Sequence, residues 1–334
     1  MFPEFLTLSN IYMITGLLIS MYSCVSNDVI QTLGTFLTTS KKMPTWVIWG
    51  YTSGILILTI TIGWLVNDGD MAFGRLERIP CPDTFTLVHA LPPIILLFLT
   101  KYGIPVSTTF LILSIFSAND LNVIGMILSK SIIGYFIALV VSIIIYNIIA
   151  RPLERVFYYT QNKEISKWWV VAKWISTAFL WSQWLMQDAA NLFVYLPRKA
   201  SLTQLLFVLA AFSAMLWIVA YKRGGEVQKI IKMKTNVQDP RSATIIDMIY
   251  AFLLLYFVKL NNVPMSTTWV FIGLLAGREI ALYHRLRFES PKKMYKHILK
   301  DLSKVMFGLV VSIAVVVVLI KFEVVKEFFV SHFM

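Results

Sequence analysis

The sequence predicts an all-α polytopic membrane protein made of two inverted-topology repeats, with broken helices and re-entrant hairpins among about ten hydrophobic elements. Three observations predict it. First, 57% of the 334 residues are hydrophobic, only 14% are charged and the mean hydropathy is +0.71. A soluble chain carries about 25% charge, and apolar runs near the ~20 residues needed to span a bilayer recur from end to end. Second, a proline followed by Ser-Thr-Thr occurs twice, as IPVSTT at 104–109 and VPMSTT at 263–268, 159 residues apart. Third, Lys and Arg crowd alternate loops, as they do on the cytoplasmic side of a membrane. The strict apolar/polar alternation of a barrel is missing from the sequence.

In the first repeat, 1–150, the hydrophobic elements run over about 7–38, 43–66, 84–100, 105–118 and 122–150. The polar stretch RPLERVFYYTQNKEISK, 151–167, follows as an expected cytoplasmic linker. In the second repeat, 168–334, they run over about 168–197, 201–221, 245–260, 264–282 and 302–330.

Charge orients these elements. With the N-terminus outside, Lys41 and Lys42, the linker (Arg151, Arg155, Lys163, Lys167) and the loops 222–241 and 285–300 all fall inside. The outer loop 66–83 balances Arg75 and Arg78 against Asp68, Asp70, Glu77 and Asp83, and 117–121 has no base. Trp46, Trp49, Trp168, Trp169 and Trp174 then fall at the inner interface as an aromatic belt. The formal net charge of +12 is thus topological, and no nucleic-acid partner is expected. Each half crosses an odd number of times, so the halves face opposite ways, which is the inverted-repeat plan of secondary transporters. The stretches 84–118 and 245–282 either cross fully or fold back. The short runs before each Ser-Thr-Thr favour re-entrant hairpins, whose polar tips need protein or water around them.

The repeated motifs carry the chemistry. A proline suits a first helical turn, where its missing N–H costs nothing. Hydroxyls just after it add donors to the unpaired N–H groups there. Ser107, Thr108 and Thr109, and Ser266, Thr267 and Thr268, are therefore candidate helix starts that hold an oxyanion. A second motif keeps register with the first. SNDVIQTLGT holds Asn27 and Asp28, QDAAN holds Gln187, Asp188 and Asn191, and the acid precedes the serine by 79 residues in one half and 78 in the other. An aspartate inside a span costs roughly 3 kcal/mol on insertion scales, and it marks a proton relay, a cation ligand or an internal ion pair. The amides and hydroxyls beside it suit a hard cation held by oxygens where a helix is broken. Gly34 is the expected break in the first copy.

SNDVIQTLGT and QDAANLFVYLP resemble the two acidic signatures of the inorganic phosphate transporter (PiT) family, and IPVSTT and VPMSTT resemble its Pro-Val-Ser-Thr-Thr-His element. The likeness covers both halves. It implies an inverted-repeat fold in the cell membrane and symport of inorganic phosphate, or sulfate in some members, driven by Na+ or H+. It further implies that Asn27, Asp28, Asp188 and Asn191 are cation or substrate ligands, with Asp28 and Asp188 as metal ligands if sodium is the ion; Gln187, grouped with them for cation coupling, stands where the family carries asparagine. Ser107–Thr109 and Ser266–Thr268 would bind the anion. Phe110 and Trp269 stand where the family carries histidine, and Val25 and Ser26 where it carries glycine and alanine.

Other residues are read more plainly. Lys101 and Lys259 precede the two prolines by four and five residues, and are either interfacial lysines or charge compensation for the anion. Arg278 and Glu279 read as an end-of-helix pair, and His89 as a hydrogen-bonded interior histidine. Cys24 and Cys81 are too few for a disulfide framework. Gly224-Gly225 is a turn, not a phosphate cradle. No nucleophile–base arrangement, CxxC or HExxH occurs, so no enzyme and no cofactor beyond the coupling ion is expected. The expected partners are the oxyanion and the lipid bilayer, with a homodimer left open. The alternatives are a sulfate or other oxyanion permease of the same fold, then a channel or an integral-membrane enzyme.

Overall fold

A computed structural model describes residues 7–40, 43–102, 106–118, 120–161, 163–222, 239–260, 264–286 and 291–333. Lys41, Lys42, Ile104, Pro105, Val263 and Gly224-Gly225 lie outside the described residues. The described residues are helical almost throughout, and they contain six helices long and apolar enough to cross a membrane. The chain is an all-helical, polytopic integral membrane protein.

The first half runs α1 (Leu8–Asn27), α2 (Val29–Thr39), α3 (Thr45–Val66), α4 (Leu87–Lys101), α5 (Thr108–Phe116) and α6 (Leu121–Ile149). A π-helical turn, Ala150–Glu154, carries α6 into α7 (Arg155–Tyr159). The second half runs α8 (Lys167–Asp188), α9 (Ala190–Phe193), α10 (Leu202–Lys222), α11 (Pro240–Leu260), α12 (Thr267–Leu286) and α13 (Pro291–Phe333).

Three expectations need correction. The interruption of the first element falls at Asp28, between α1 and α2, and Gly34 lies inside α2. The last helix of the first half does not stop at 150: it continues to Tyr159, with the π-turn placed around Pro152, which has no N–H to give the regular ladder. The tryptophans do not all form a belt. Trp46 and Trp168 are exposed, but Trp49 Nε1 donates to the Ser213 carbonyl at 2.9 Å and Trp174 packs edge-on against Phe36 and Tyr51.

Packing partners come in matched sets. α1 packs on α4 as α8 packs on α11, α3 on α8 as α10 on α1, and α6 on α12 as α13 on α5. α3 meets α10, where Ser213 Oγ donates to Ser53 Oγ at 2.9 Å across 160 residues of chain. α4 and α5 are short. Their 15 and 9 residues reach about 22 and 14 Å at ~1.5 Å per residue, less than a ~30 Å hydrocarbon core. α11 and α12, with 21 and 20 residues, are longer than their counterparts.

The tightest helix pair, α6 with α12, rests on a Gly-x3-Gly pair that brings backbones together. A Cβ added at Gly273 would meet the Tyr135 carbonyl oxygen at 2.3 Å, and one at Gly277 the Leu139 carbonyl oxygen at 2.3 Å. Ser142 Oγ donates to the Leu274 carbonyl at 2.7 Å across the same seam.

Two buried ion pairs sit away from the repeated motifs. Lys173 Nζ of α8 lies 2.6 Å from Asp247 Oδ2 of α11 and donates to Thr35 Oγ1 of α2 at 2.8 Å. Thr35 and Thr177 in turn donate to the two oxygens of Asp247 at 2.8 and 2.9 Å. Arg278, expected at a helix end, is instead buried, 3.6 Å from Glu154 and over the ring of Tyr146.

Two predictions concern stability. Gly277→Val lowers unfolding stability in detergent by about 1–3 kcal/mol through overpacking, while Gly125→Ala, where nothing lies within 4 Å, leaves it unchanged or raised. Lys173→Met alone costs about 3–5 kcal/mol, because it strands a buried carboxylate, and the double change Lys173→Met with Asp247→Leu recovers most of that loss. Thermal unfolding of the purified variants checks both.

Candidate functional site

The two interrupted helices and the two Ser-Thr-Thr starts converge on one buried cluster. Asp28 is the single residue between α1 and α2, and its N–H still reaches the Cys24 carbonyl at 2.8 Å. Asp188 ends α8, and Ala189 is the single residue before the four-residue α9. Both carboxylates are 1% exposed. Ser107 is the N-cap of α5, with its Oγ accepting from Phe110 N at 3.0 Å. The hydroxyl proton is still available to donate, but the expected first-turn proline is not found at the second copy, where α12 begins at Thr267, three residues past Pro264. On the other side Ser266 N donates to Ser131 Oγ of α6 at 3.0 Å, just before α12 begins.

Most of the bonds cross between halves. Thr109 Oγ1 donates to Asp188 Oδ1 at 3.2 Å and accepts from Asn191 Nδ2 at 3.1 Å. Gln31 Nε2 donates to Thr268 Oγ1 at 3.0 Å. Gln31 and Asn191 each stand three residues past an acid, and each reaches the third residue of the other half's triplet. Within halves, Thr267 Oγ1 donates to Asp188 Oδ2, and Asn27 Nδ2 bridges Asp28 Oδ1 at 2.9 Å and Thr108 Oγ1 at 3.3 Å. Ser20 Oγ donates to the Asn191 carbonyl at 2.9 Å, tying α1 to α9.

Several buried polar atoms of this cluster have no hydrogen-bond partner: Asp28 Oδ2, Gln31 Oε1, Asn191 Oδ1, Ser266 Oγ and both amide atoms of Gln187. Such groups are costly unless a ligand satisfies them. Four of the six are carboxyl or amide oxygens, which suit a hard cation or a hydroxyl proton.

The structure therefore brings together Asn27, Asp28, Asp188, Asn191, Thr108, Thr109, Thr267 and Thr268, with Ser107 and Ser266 at the adjoining helix starts. It does not bring in Lys101 and Lys259, whose side chains are exposed on the last turns of α4 and α11. Phe110 and Trp269 are buried. His89 bonds locally, its Nδ1 accepting from Thr86 N at 3.1 Å in a capping box. Both cysteines are free thiols.

Sequence reasoning missed Gln31 and Arg75. Gln31 was legible by comparison with Asn191, at the same offset from its acid. Arg75 gave no signal, because the outer loop reads as balanced charge. That loop is wound tightly: Asp68, Gly69, Phe73 and Gly74 have positive φ, and Asp70 accepts from Ala72 N and Gly74 N at 2.7 and 2.6 Å. It places the Arg75 side chain inside, Nε donating to the Met186 carbonyl at 2.8 Å in the last turn of α8. Burial pushes the guanidinium down to about 10, opposed by the nearby Asp188 charge, so it stays a cation at neutral pH. Arg198 Nε and Nη2 bond the Ile79 carbonyl at 3.1 and 2.9 Å, and Gly69 accepts from Ala200 N at 2.9 Å, so the loop is fastened along the second half.

Thr109→Val, which strands the Asn191 donor and one Asp188 oxygen, destabilises the protein by about 1–3 kcal/mol. Thr109→Ser, which keeps the hydroxyl, costs less than half as much; thermal unfolding of the two variants separates the hydroxyl from the methyl.

The sequence matches no protein-family profile and no curated protein. The structure is similar to a solved one described as "The sodium-dependent phosphate transporter", with 14% identity over 95% of this chain and 98% of that one and a TM-score of 0.57. The two chains share a fold, over nearly the whole length of each.

Proposed function

We propose that this protein is a secondary active transporter that imports inorganic phosphate in symport with sodium, by alternating access through two inverted repeats. One observation carries the proposal: each half contributes a carboxylate, a side-chain amide and a hydroxyl-bearing helix start to a single buried cluster bonded across the halves. The family resemblance of the motifs and the shared fold support the same substrate class.

Residues 1–150 and 168–334 act as the two repeats, joined by 151–167. The matched packing sets support this division. The short α4 and α5 act as a re-entrant hairpin that sets the Ser107 helix start within the membrane, surrounded by protein; α11 and α12 supply the counterpart at Ser266. Hydroxyls and first-turn N–H groups of the two triplets hold the oxyanion. Asp28 and Asp188, with Asn27, Gln187 and Asn191, serve cation coupling. Sodium is favoured over a proton because one metal ion can take several of the unpaired oxygens of Asp28, Gln31, Gln187 and Asn191 at once, whereas a proton on an acid bonds only one of them. Co-binding lowers the charge cost of each ion in a site without bulk water. Rocking of one repeat against the other then opens the cluster to each side in turn.

Uptake of labelled phosphate into proteoliposomes tests this. An inward sodium gradient drives accumulation, and a choline gradient does not. Asp28→Asn lowers sodium-driven uptake about 10- to 100-fold, the loss of one charge-assisted ligand. Ser107→Ala with Ser266→Ala weakens phosphate binding at unchanged sodium affinity. Uptake that follows membrane potential without accumulation would make the protein a channel, and stronger inhibition by unlabelled sulfate than by unlabelled phosphate would make it a sulfate carrier.

A further inference from the structure

The two helix breaks differ electrostatically, and the difference comes from a residue outside the repeated motifs. At the second break, the outer loop inserts the buried Arg75 so that its Nε bonds the Met186 carbonyl at 2.8 Å, two residues before Asp188. A cation there meets the negative end of the α8 dipole and satisfies one of its last carbonyls. Arg75 thereby brings a positive charge to the end of α8 that Asp188 closes. Both Asp188 oxygens are bonded as well, one by Thr109 and one by Thr267. At the first break the situation is reversed. Asp28 Oδ1 accepts from Asn27 Nδ2 at 2.9 Å, but Asp28 Oδ2 is buried without a partner. Two carboxylates in matched positions thus have opposite needs: one is provided with a cation by the chain, the other is not.

We propose that the Arg75 guanidinium is the built-in counter-charge of Asp188, so that the coupling sodium binds on the Asp28 side alone. Arg75 is then a positioning residue that sets how many cations accompany each oxyanion. The inference rests on the symport reading, and it replaces two equivalent cation sites, which the paired motifs would imply, by one.

The test uses full-length protein in lipid nanodiscs, with melting temperature followed against sodium chloride at ionic strength held constant by choline chloride. Sodium dependence of phosphate uptake is followed in parallel. In the wild type sodium raises the melting temperature along a one-site curve, with a Hill coefficient of about one in uptake. Asp28→Asn abolishes the shift. Arg75→Gln leaves Asp188 without a counter-charge and gains a second sodium, so the response steepens toward a Hill coefficient of about two. Arg75→Lys keeps the one-site response. Arg75→Gln with a wild-type response, or Arg75→Lys matching Arg75→Gln, overturns the inference. If Arg75→Gln does not fold, the double variant Arg75→Gln with Asp188→Asn decides: no charge is stranded in it, a retained one-site sodium shift upholds the pairing, and a lost shift overturns it. A wild type that sodium does not stabilise overturns sodium symport instead; a sodium shift gained by Arg75→Gln would even then uphold the counter-charge.

Discussion

A buried carboxylate has no bulk water to solvate it, and this protein brings two of its buried acids, Asp28 and Asp188, into one cluster. Everything around them follows from supplying what water would have supplied. Hydroxyls and amides converge from four chain segments, and each helix is interrupted at its acid rather than continued through it. The interruption frees backbone and side-chain geometry just where polar partners are needed. The cost of the buried acids is thereby spread over a network, and that network is one of several sets of polar bonds that join the halves.

The fold was legible in the sequence because the membrane imposes simple rules. Apolar runs and loop charges located the elements, and the observed helices α3, α6 and α10 lie within a few residues of the expected bounds. The candidate site was legible because duplication repeats an acid and a hydroxyl triplet at one spacing. What escaped was everything not encoded by period or repetition. Gly34 looked like a helix break because glycine weakens helices, but inside a packed apolar segment the stronger perturbation is the charged Asp28. Gly273 and Gly277 read as ordinary glycines, because only the approach of α6 shows that a Cβ has nowhere to go. Lys173 and Asp247 lie 74 residues apart in chain, and Arg278 and Glu154 lie in different halves, so no local pattern announces either pair. Arg75 is hidden for the same reason: composition sees a charge on a loop, while the fold turns it inward.

The two halves have matched packing partners but differ in charge. Lys173 and Asp247 put a buried ion pair in the second half, Arg75 puts a buried cation in the loop after α3, and α11 and α12 outgrow α4 and α5. A centre shared by two halves does not oblige its two sides to bind the same thing. An oxyanion and a cation are themselves unlike, and a site that distinguishes them gains from unlike halves.

The distribution of charge also constrains how the halves can move. On the side of the basic loops, both members of the Lys173–Asp247 pair belong to the second half, and Thr35 is the member supplied by the first. Drawing α2 away from α8 and α11 breaks two hydroxyl bonds and separates no charge, so the desolvation penalty of a split buried pair is not incurred. On the other side, the loop after α3 holds the second half through Arg75, through the Arg198 bonds to Ile79 and through the Gly69–Ala200 backbone bond. Separation there pulls a guanidinium from a helix terminus and from the neighbourhood of a buried acid. The two faces of the cluster are thus closed by different groups, a hydroxyl set against a lysine–aspartate pair on one and guanidinium groups set against backbone carbonyls on the other.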